Sequence, residues 1–141
     1  MIIVDTSGLL SALDASQSSH AASAAALRAS GPPRLLSPFV LAELDYLLST
    51  RVSTRVARAF LDEVAGGAYQ LESFSPSDVA GAITILDRYP KLDLGLADAS
   101  LVVLAVRHDL TDILTLDERH FRVVARPDGR PFRLLPADAA A

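Results

Sequence analysis

Short apolar runs alternate with longer helical segments along this chain, and that alternation constrains its fold most strongly. Ile2-Ile3-Val4 is too short for a helix and has the β-branched character of a buried strand. Ser37-Pro38 and Ser75-Pro76 are helix starts, with serine as the cap and proline at the first helical position. We expect strands at 2–4, 34–36, 69–74, 113–116, 121–125 and 132–135, helices at 8–14, 17–30, 39–50, 53–66, 76–88 and 94–108, and a helical turn at 117–120. This pattern predicts a three-layer α/β fold, in which helices cover both faces of a central, mostly parallel sheet.

Composition narrows the class of protein further. A length of 141 residues suits one domain spanning 1–141, and the absence of cysteine excludes disulfide scaffolds, thiolate-bound zinc and thiol catalysis. No apolar run approaches the roughly 20 residues of a membrane span, and no secretory signal is visible, so we expect a soluble, cytoplasmic protein. The net charge of −4 argues against a general nucleic-acid coat protein, but it leaves room for an enzyme with a local basic patch.

Two acidic residues follow directly on predicted buried strands. Asp5 comes after Ile2-Ile3-Val4, and Asp117 comes shortly after the apolar run that begins at Ile113. In open α/β sheets, ligands bind beyond the carboxyl ends of the strands, which is where both carboxylates are expected. The alternative for each is an ordinary helix cap.

Two further acids lie inside apolar helical sequence. Glu43 falls between Phe39 and Leu47 on a helical projection, and Asp98 is surrounded by apolar and small residues throughout 94–106. A buried carboxylate needs a cation or several donors, so both are candidates for a site. If the apolar side of the helix at 39–50 is partly exposed to solvent, Glu43 needs no partner. Asp98 needs none if it caps a helix. Asp93, on the preceding loop, is a weaker candidate.

Four carboxylates in one crevice would repel each other and raise each other's pKa. Divalent cations with oxygen ligands resolve that conflict, so Asp5, Glu43, Asp98 and Asp117 predict a site for Mg²⁺, or alternatively Mn²⁺. Such a site is suited to phosphodiester hydrolysis by metal-activated water. The three histidines show no metal-ligand spacing, and we expect His120 to be a packing or surface residue.

The chain resembles the PIN-domain endoribonucleases, and within them the VapC toxins of bacterial toxin–antitoxin pairs. The resemblance rests on four segments in the same order and at similar intervals, and it extends over the whole chain. The segments are Met1-Ile2-Ile3-Val4-Asp5-Thr6-Ser7, Leu41-Ala42-Glu43-Leu44, Leu96-Ala97-Asp98-Ala99 and Leu114-Thr115-Leu116-Asp117-Glu118-Arg119-His120-Phe121.

This resemblance implies a PIN-like fold and magnesium-dependent hydrolysis of structured RNA, tRNA or rRNA, without a covalent intermediate. It implies that Asp5, Glu43, Asp98 and Asp117 form the metal site, and that Thr6, Ser7 and Thr115 orient them. Some relatives carry a further acid just after the position of Asp117, where this chain has Arg119-His120. It further implies a homodimer, and a cognate VapB-type antitoxin that can place a basic side chain in the acidic pocket.

Three other interpretations remain open at this stage. A receiver-like phosphoacceptor domain also gathers acids at strand ends, although Thr6 follows Asp5 and the only lysine, Lys91, lies in a predicted loop. A PIN scaffold acting only as a binding module, and a flap-type nuclease, are the others. Clustered arginines are candidate RNA phosphate contacts, with solvated surface as the alternative. They are Arg51, Arg55 and Arg58, predicted on one helical face, and Arg119, Arg122, Arg126, Arg130 and Arg133.

Overall fold

A five-stranded sheet, parallel throughout, forms the centre of the computed structural model, which describes residues 1–139. The strand order is β3-β2-β1-β4-β5. The strands are β1 Ile2–Val4, β2 Arg34–Leu36, β3 Gln70–Leu71, β4 Asp112–Leu114 and β5 Arg133–Leu135. The helices are α1 Thr6–Leu13, α2 His20–Ser30, α3 Pro38–Arg51, α4 Thr54–Ala65, α5 Pro76–Arg88, α6 Leu96–His108 and α7 Glu118–Phe121.

Burial of the central strand shows that helices cover both faces of the sheet. Successive strand residues point to opposite faces, and Ile2, Ile3 and Val4 are all fully buried. The same holds for Ile113 and Leu114 of β4. The predicted three-layer α/β architecture is therefore confirmed, and the sheet is wholly parallel.

Local sequence signals place the helix starts where they were expected. The Ser37 hydroxyl accepts from the backbone N–H of Phe39, 3.2 Å away, at the start of α3. Ser75 and Asp78 exchange side-chain and backbone hydrogen bonds at the start of α5. These caps satisfy N–H groups that have no partner within the helix.

Two predicted strands differ from the structure. The strand predicted at 69–74 is reduced to Gln70–Leu71, an exposed edge pair, because its partner β2 ends at Leu36 and the chain continues from Ser37 into α3. The segment 121–125 is not a strand. A turn in which two backbone N–H groups donate to the carbonyl of His120 leaves only Ala125 in an isolated bridge, to Pro131.

None of the helices within residues 1–139 combines the length and apolarity needed to cross a bilayer.

Candidate metal centre

The order of the strands creates a crevice between β1 and β4. From β1 the chain adds β2 and β3 on one side, whereas β4 and β5 lie on the other. Ligands of open α/β sheets bind at such a reversal, beyond the carboxyl ends of the strands. Asp5 leaves β1 at this point, where its backbone N–H donates to the carbonyl of Leu114, 2.9 Å away. The residues that follow both strands therefore share one edge of the sheet.

Asp5 is the most deeply buried carboxylate of the crevice, with 5% of its surface exposed. Its Oδ1 accepts from the backbone N–H of Thr6 at 2.8 Å. Its Oδ2 accepts from the hydroxyls of Thr115 at 2.6 Å and Ser7 at 3.2 Å. Burial, reinforced by the charge of Asp98, outweighs these three donors and raises the pKa of Asp5 from 3.8 to about 6.

Asp98 enters the crevice from the first turn of α6 and is half-buried. Its Oδ2 accepts from the backbone N–H of Gly95 at 3.0 Å, so it also caps the helix. Burial raises the pKa of Asp98, and the charges of Asp117 and Glu43 act in the same direction. The donor at Gly95 and the ring of His120 offset only part of this effect.

Asp117 caps the one-turn helix α7 and is half-buried. Its Oδ1 accepts from the backbone N–H of His120 at 3.0 Å, and its own N–H donates to the Thr115 hydroxyl at 2.9 Å. Asp5, Asp98 and Asp117 thus each cap a helix and also face the crevice. Capping and a place in the crevice were alternatives in the sequence, but in the structure the two do not exclude each other.

The structure brings all four predicted acids to the wall of one cavity of ≈ 220 Å³. The cavity is lined by Asp5, Thr6, Ser7, Leu10, Glu43, Leu47, Arg51, Asp98 and Asp117. A larger cavity, of ≈ 440 Å³, is bordered by α5 and α6 and is mostly apolar. The larger cavity contains none of the four acids, so the smaller cavity is the candidate metal site.

Glu43 was a candidate for a buried carboxylate, and the structure corrects that expectation. It is exposed, whereas the core side of α3 consists of Val40, Leu44 and Leu48. Because these residues recur every fourth position, Glu43 falls beside the buried stripe and faces the cavity at its solvent side. The four acids therefore differ in burial: Asp5 is buried, Asp98 and Asp117 are half-buried, and Glu43 is exposed.

The three residues expected to orient the acids through their hydroxyls differ in the contacts that they make. Ser7 and Thr115 contact Asp5, and the Ser7 hydroxyl additionally accepts from the backbone N–H of Leu116 at 3.0 Å. The hydroxyl of Thr6 is buried and has no hydrogen-bond partner among the residues that the structure describes, and only the backbone N–H of Thr6 donates to Asp5. Asp93 is exposed in a left-handed conformation (φ 52°) and does not line the cavity.

His120 is the residue that the sequence reasoning missed. We expected a packing or surface side chain, but its Nδ1 lies 2.8 Å from Oδ2 of Asp117 and 3.9 Å from Oδ2 of Asp98. One ligand atom each from Asp98, Asp117 and His120 lies within 4.8 Å of the other two. The signal in the sequence was the spacing of three from Asp117 to His120, which places both side chains on one side of a helical turn.

The arginine clusters differ from their predicted arrangement. Arg51 ends α3 and lines the acid cavity, whereas Arg55 and Arg58 belong to α4, because the helix breaks at Val52-Ser53. Four of the C-terminal arginines pair with carboxylates of this chain instead of standing free for RNA. They are Arg122, Arg126, Arg130 and Arg133.

Arg126 is a structural residue, and its replacement by alanine is expected to cost about 2–3 kcal/mol of unfolding free energy. Its buried guanidinium contacts Asp109 at 2.8 Å and Asp128 at 3.0 Å, and donates to the carbonyl of Leu110 at 3.3 Å. These contacts tie the segment after α7 to the end of α6. Urea denaturation measures the loss.

Arg130→Ala is the matched control, because Arg130 pairs with the same two carboxylates from an exposed position. We expect this variant to unfold close to the wild type. Equal destabilisation by the two variants would contradict the structural role assigned to Arg126.

The crevice and its carboxylates define an α/β protein with an acidic centre at the carboxyl edge of a parallel sheet. The profile of the PIN domain family matches residues 2–127. The chain is 41% identical over 135 residues to Ribonuclease VapC26 of Mycobacterium tuberculosis, an alignment that covers 96% of this chain and all of that protein. The chain therefore belongs to the PIN-domain family and, within it, to the VapC ribonucleases.

Solved structures show the same fold. VapC20 of Mycobacterium tuberculosis, a sarcin–ricin loop cleaving toxin, superposes with a TM-score of 0.76 at 24% identity, over 84% of this chain and 91% of that one. VapBC2 of Rickettsia felis, bound to a DNA fragment from its promoter, gives 0.68 at 19% identity over 95% and 98% of the chains. FitAcB of Neisseria gonorrhoeae gives 0.60 at 19% identity over 94% and 97%.

Proposed function

We propose that this protein is a metal-dependent endoribonuclease, the toxin of a VapBC-type toxin–antitoxin module. The observation that carries the proposal is the convergence of Asp5, Glu43, Asp98 and Asp117 on one cavity at the reversal of the strand order. Residues 1–141 then form a single PIN domain, since β5 (Arg133–Leu135) lies beyond the family match and still pairs with β4.

The donor set fits a hard divalent cation. The cavity supplies carboxylate oxygens and no thiolate, and ionisation of Asp5 and Asp98 is opposed by burial and by mutual repulsion. Asp5, Asp98 and Asp117 would hold such a cation, with Glu43 at the solvent side, and its charge would offset that repulsion. Mg²⁺ is the ion we propose, with Mn²⁺ as the alternative. When bound, it would activate water and stabilise charge on the leaving oxygen.

The protein's own groups have distinct tasks in this reaction. Ser7, Thr115 and the Thr6 N–H hold Asp5 in one orientation, which prearranges the buried ligand. Glu43 is exposed at the mouth of the cavity, so it can orient the attacking water or accept its proton. Arg51 borders the same cavity and offers a fork of donors to an RNA phosphate.

The substrate and partners follow from the same chemistry. We propose structured RNA, tRNA or rRNA, as the substrate, and the structural neighbour VapC20 is a sarcin–ricin loop cleaving toxin. We propose a VapB-type antitoxin as the inhibitor, since the structure of VapBC2 supports such a partner and the acidic cavity suits an arginine or lysine side chain. A homodimer is also proposed.

Two alternatives have less support. A receiver-like phosphoacceptor needs a lysine beside its acids, but Lys91 is exposed in the turn after α5 and does not line the cavity. A PIN scaffold that only binds would not need its carboxylates to be oriented, whereas three donors orient Asp5.

Glu43→Gln tests the proposed chemistry with little risk to the fold, because Glu43 is exposed. We expect RNA cleavage to fall by about 10- to 100-fold, the range seen when an outer partner of a metal site is lost. The measurement is the rate of cleavage of a structured RNA in Mg²⁺, with the new RNA ends mapped.

Asp45→Asn is the control, since Asp45 lies on the same helix and carries the same charge but does not line the cavity. We expect it to cleave at the wild-type rate. Equal activity of Glu43→Gln and the wild type would remove Glu43 from the mechanism.

A further inference from the structure

The short helix α7 places His120 beside the acids. Asp117 caps that helix, and Phe121 anchors it by packing edge-to-face on Phe132, with ring centres 6.1 Å apart. The His120 side chain is 15% exposed, and its Nδ1 faces Oδ2 of Asp117 and Oδ2 of Asp98. The ring therefore faces two acids that were assigned above to the metal centre.

The ring nitrogens have no hydrogen-bond partner within residues 1–139. Both are buried, and the 2.8 Å approach of Nδ1 to Asp117 lacks hydrogen-bond geometry. An imidazole nitrogen that makes no hydrogen bond keeps a donor atom available for a metal ion. The ligand atoms of Asp98, Asp117 and His120 lie within 4.8 Å of one another, which a single ion can bridge.

We propose that Nδ1 of His120 is a ligand of the divalent ion and raises the affinity of the site for first-row transition metals such as Mn²⁺, the alternative ion named above, relative to Mg²⁺. This inference rests on the proposed function, because it concerns the same metal centre. Mg²⁺ is bound by carboxylates, phosphates and water, whereas an imidazole nitrogen binds divalent ions of the first transition row, Mn²⁺ included, better than it binds Mg²⁺. One nitrogen added to an oxygen donor set thus raises the affinity of the centre for Mn²⁺ more than its affinity for Mg²⁺.

The test uses the full chain with Mn²⁺ alone, without RNA, and measures coupling between the Mn²⁺ electron spin and ligand nitrogen by pulsed EPR. We expect a ¹⁴N signal that becomes a ¹⁵N signal when the protein is made with ¹⁵N-histidine. His120→Gln removes the signal, and His108→Gln, outside the centre, retains it. We further expect His120→Gln to weaken Mn²⁺ binding by about tenfold, with Mg²⁺ binding changed much less.

The outcomes separate this inference from the proposed function. Mn²⁺ bound without a nitrogen signal overturns the role of His120 and leaves the metal-dependent nuclease standing. A wild-type protein that binds neither Mn²⁺ nor Mg²⁺ overturns both. If His120→Gln fails to fold, the comparison of unlabelled and ¹⁵N-histidine wild-type protein decides the question without a variant.

Discussion

Asp5→Asn is expected to abolish RNA cleavage and at the same time to stabilise the metal-free protein. Asp5 is the buried carboxylate of the proposed metal centre, and three donors hold it. Asparagine has the size of aspartate but lacks the negative charge that a bound cation needs. We expect a loss of more than about 100-fold in cleavage rate, beyond what loss of an outer partner costs a metal site.

The gain in stability follows from the pKa of Asp5. Its value of about 6 in the folded protein exceeds the ordinary 3.8, so between pH 4 and 6 the folded state retains a proton that the unfolded state has lost. The contribution of Asp5 is therefore fully present below pH 4 and is lost as the pH rises through 6. The shift corresponds to about 3 kcal/mol, an upper value for the stabilisation of Asp5→Asn at pH 7.5.

Urea denaturation of both proteins in EDTA, between pH 4 and pH 8, measures this effect. We expect the wild type to lose stability across pH 4–6 more steeply than Asp5→Asn, and Mg²⁺ to restore the wild type alone. Asp87→Asn, at an exposed position on α5, controls for the change in net charge. An Asp5→Asn variant less stable than the wild type at pH 7.5 would contradict the unfavourable burial of the Asp5 charge that its raised pKa indicates.

Gly8→Ala is expected to destabilise the fold by about 3 kcal/mol or more, or to prevent folding. Helix α1 passes so close to β4 that a Cβ at Gly8 would lie 2.4 Å from the carbonyl oxygen of Leu114 and 2.7 Å from the nitrogen of Thr115. Both are backbone atoms, so α1 and β4 would have to move apart. We expect the loss of unfolding free energy from such overpacking to lie at or above the upper end of the usual range.

Gly81→Ala is the matched control, since Gly81 is also helical and its added Cβ would meet only a side-chain methyl of Val103 at 3.8 Å. This variant is expected to gain about 0.5–1 kcal/mol from helix propensity. Urea midpoints and soluble yield compare the two. A wild-type midpoint for Gly8→Ala would contradict the close packing of α1 against β4.

Much of the fold follows from short-range chemistry that is visible in the sequence. β1, β2, β4 and β5 are apolar runs too short for helices, and Ser37, Ser53 and Ser75 cap helices close to the predicted positions. The length of the edge strand β3 was overestimated, since the predicted strand spans 69–74 and the observed one Gln70–Leu71. Its length is limited by its partner β2, which ends at Leu36, and such long-range pairing leaves no periodic signal in the chain.

The candidate site was predictable where a carboxylate stood in apolar sequence, as for Asp5 and Asp98. Glu43 was placed in the cavity but given the wrong burial, because the predicted apolar stripe of α3 was wider than the buried one. His120 was missed because its partners, Asp98 and Asp117, come from two different elements. Only the tertiary structure reveals that juxtaposition.

The most direct test of the central claim is the cleavage of a structured RNA by metal-stripped protein as Mg²⁺ is added, removed with EDTA and added again. We predict that cleavage appears with Mg²⁺, stops in EDTA and returns with excess Mg²⁺, and that Asp98→Asn remains folded but inactive throughout. Cleavage at an undiminished rate in EDTA, or by Asp98→Asn in Mg²⁺, would contradict the account.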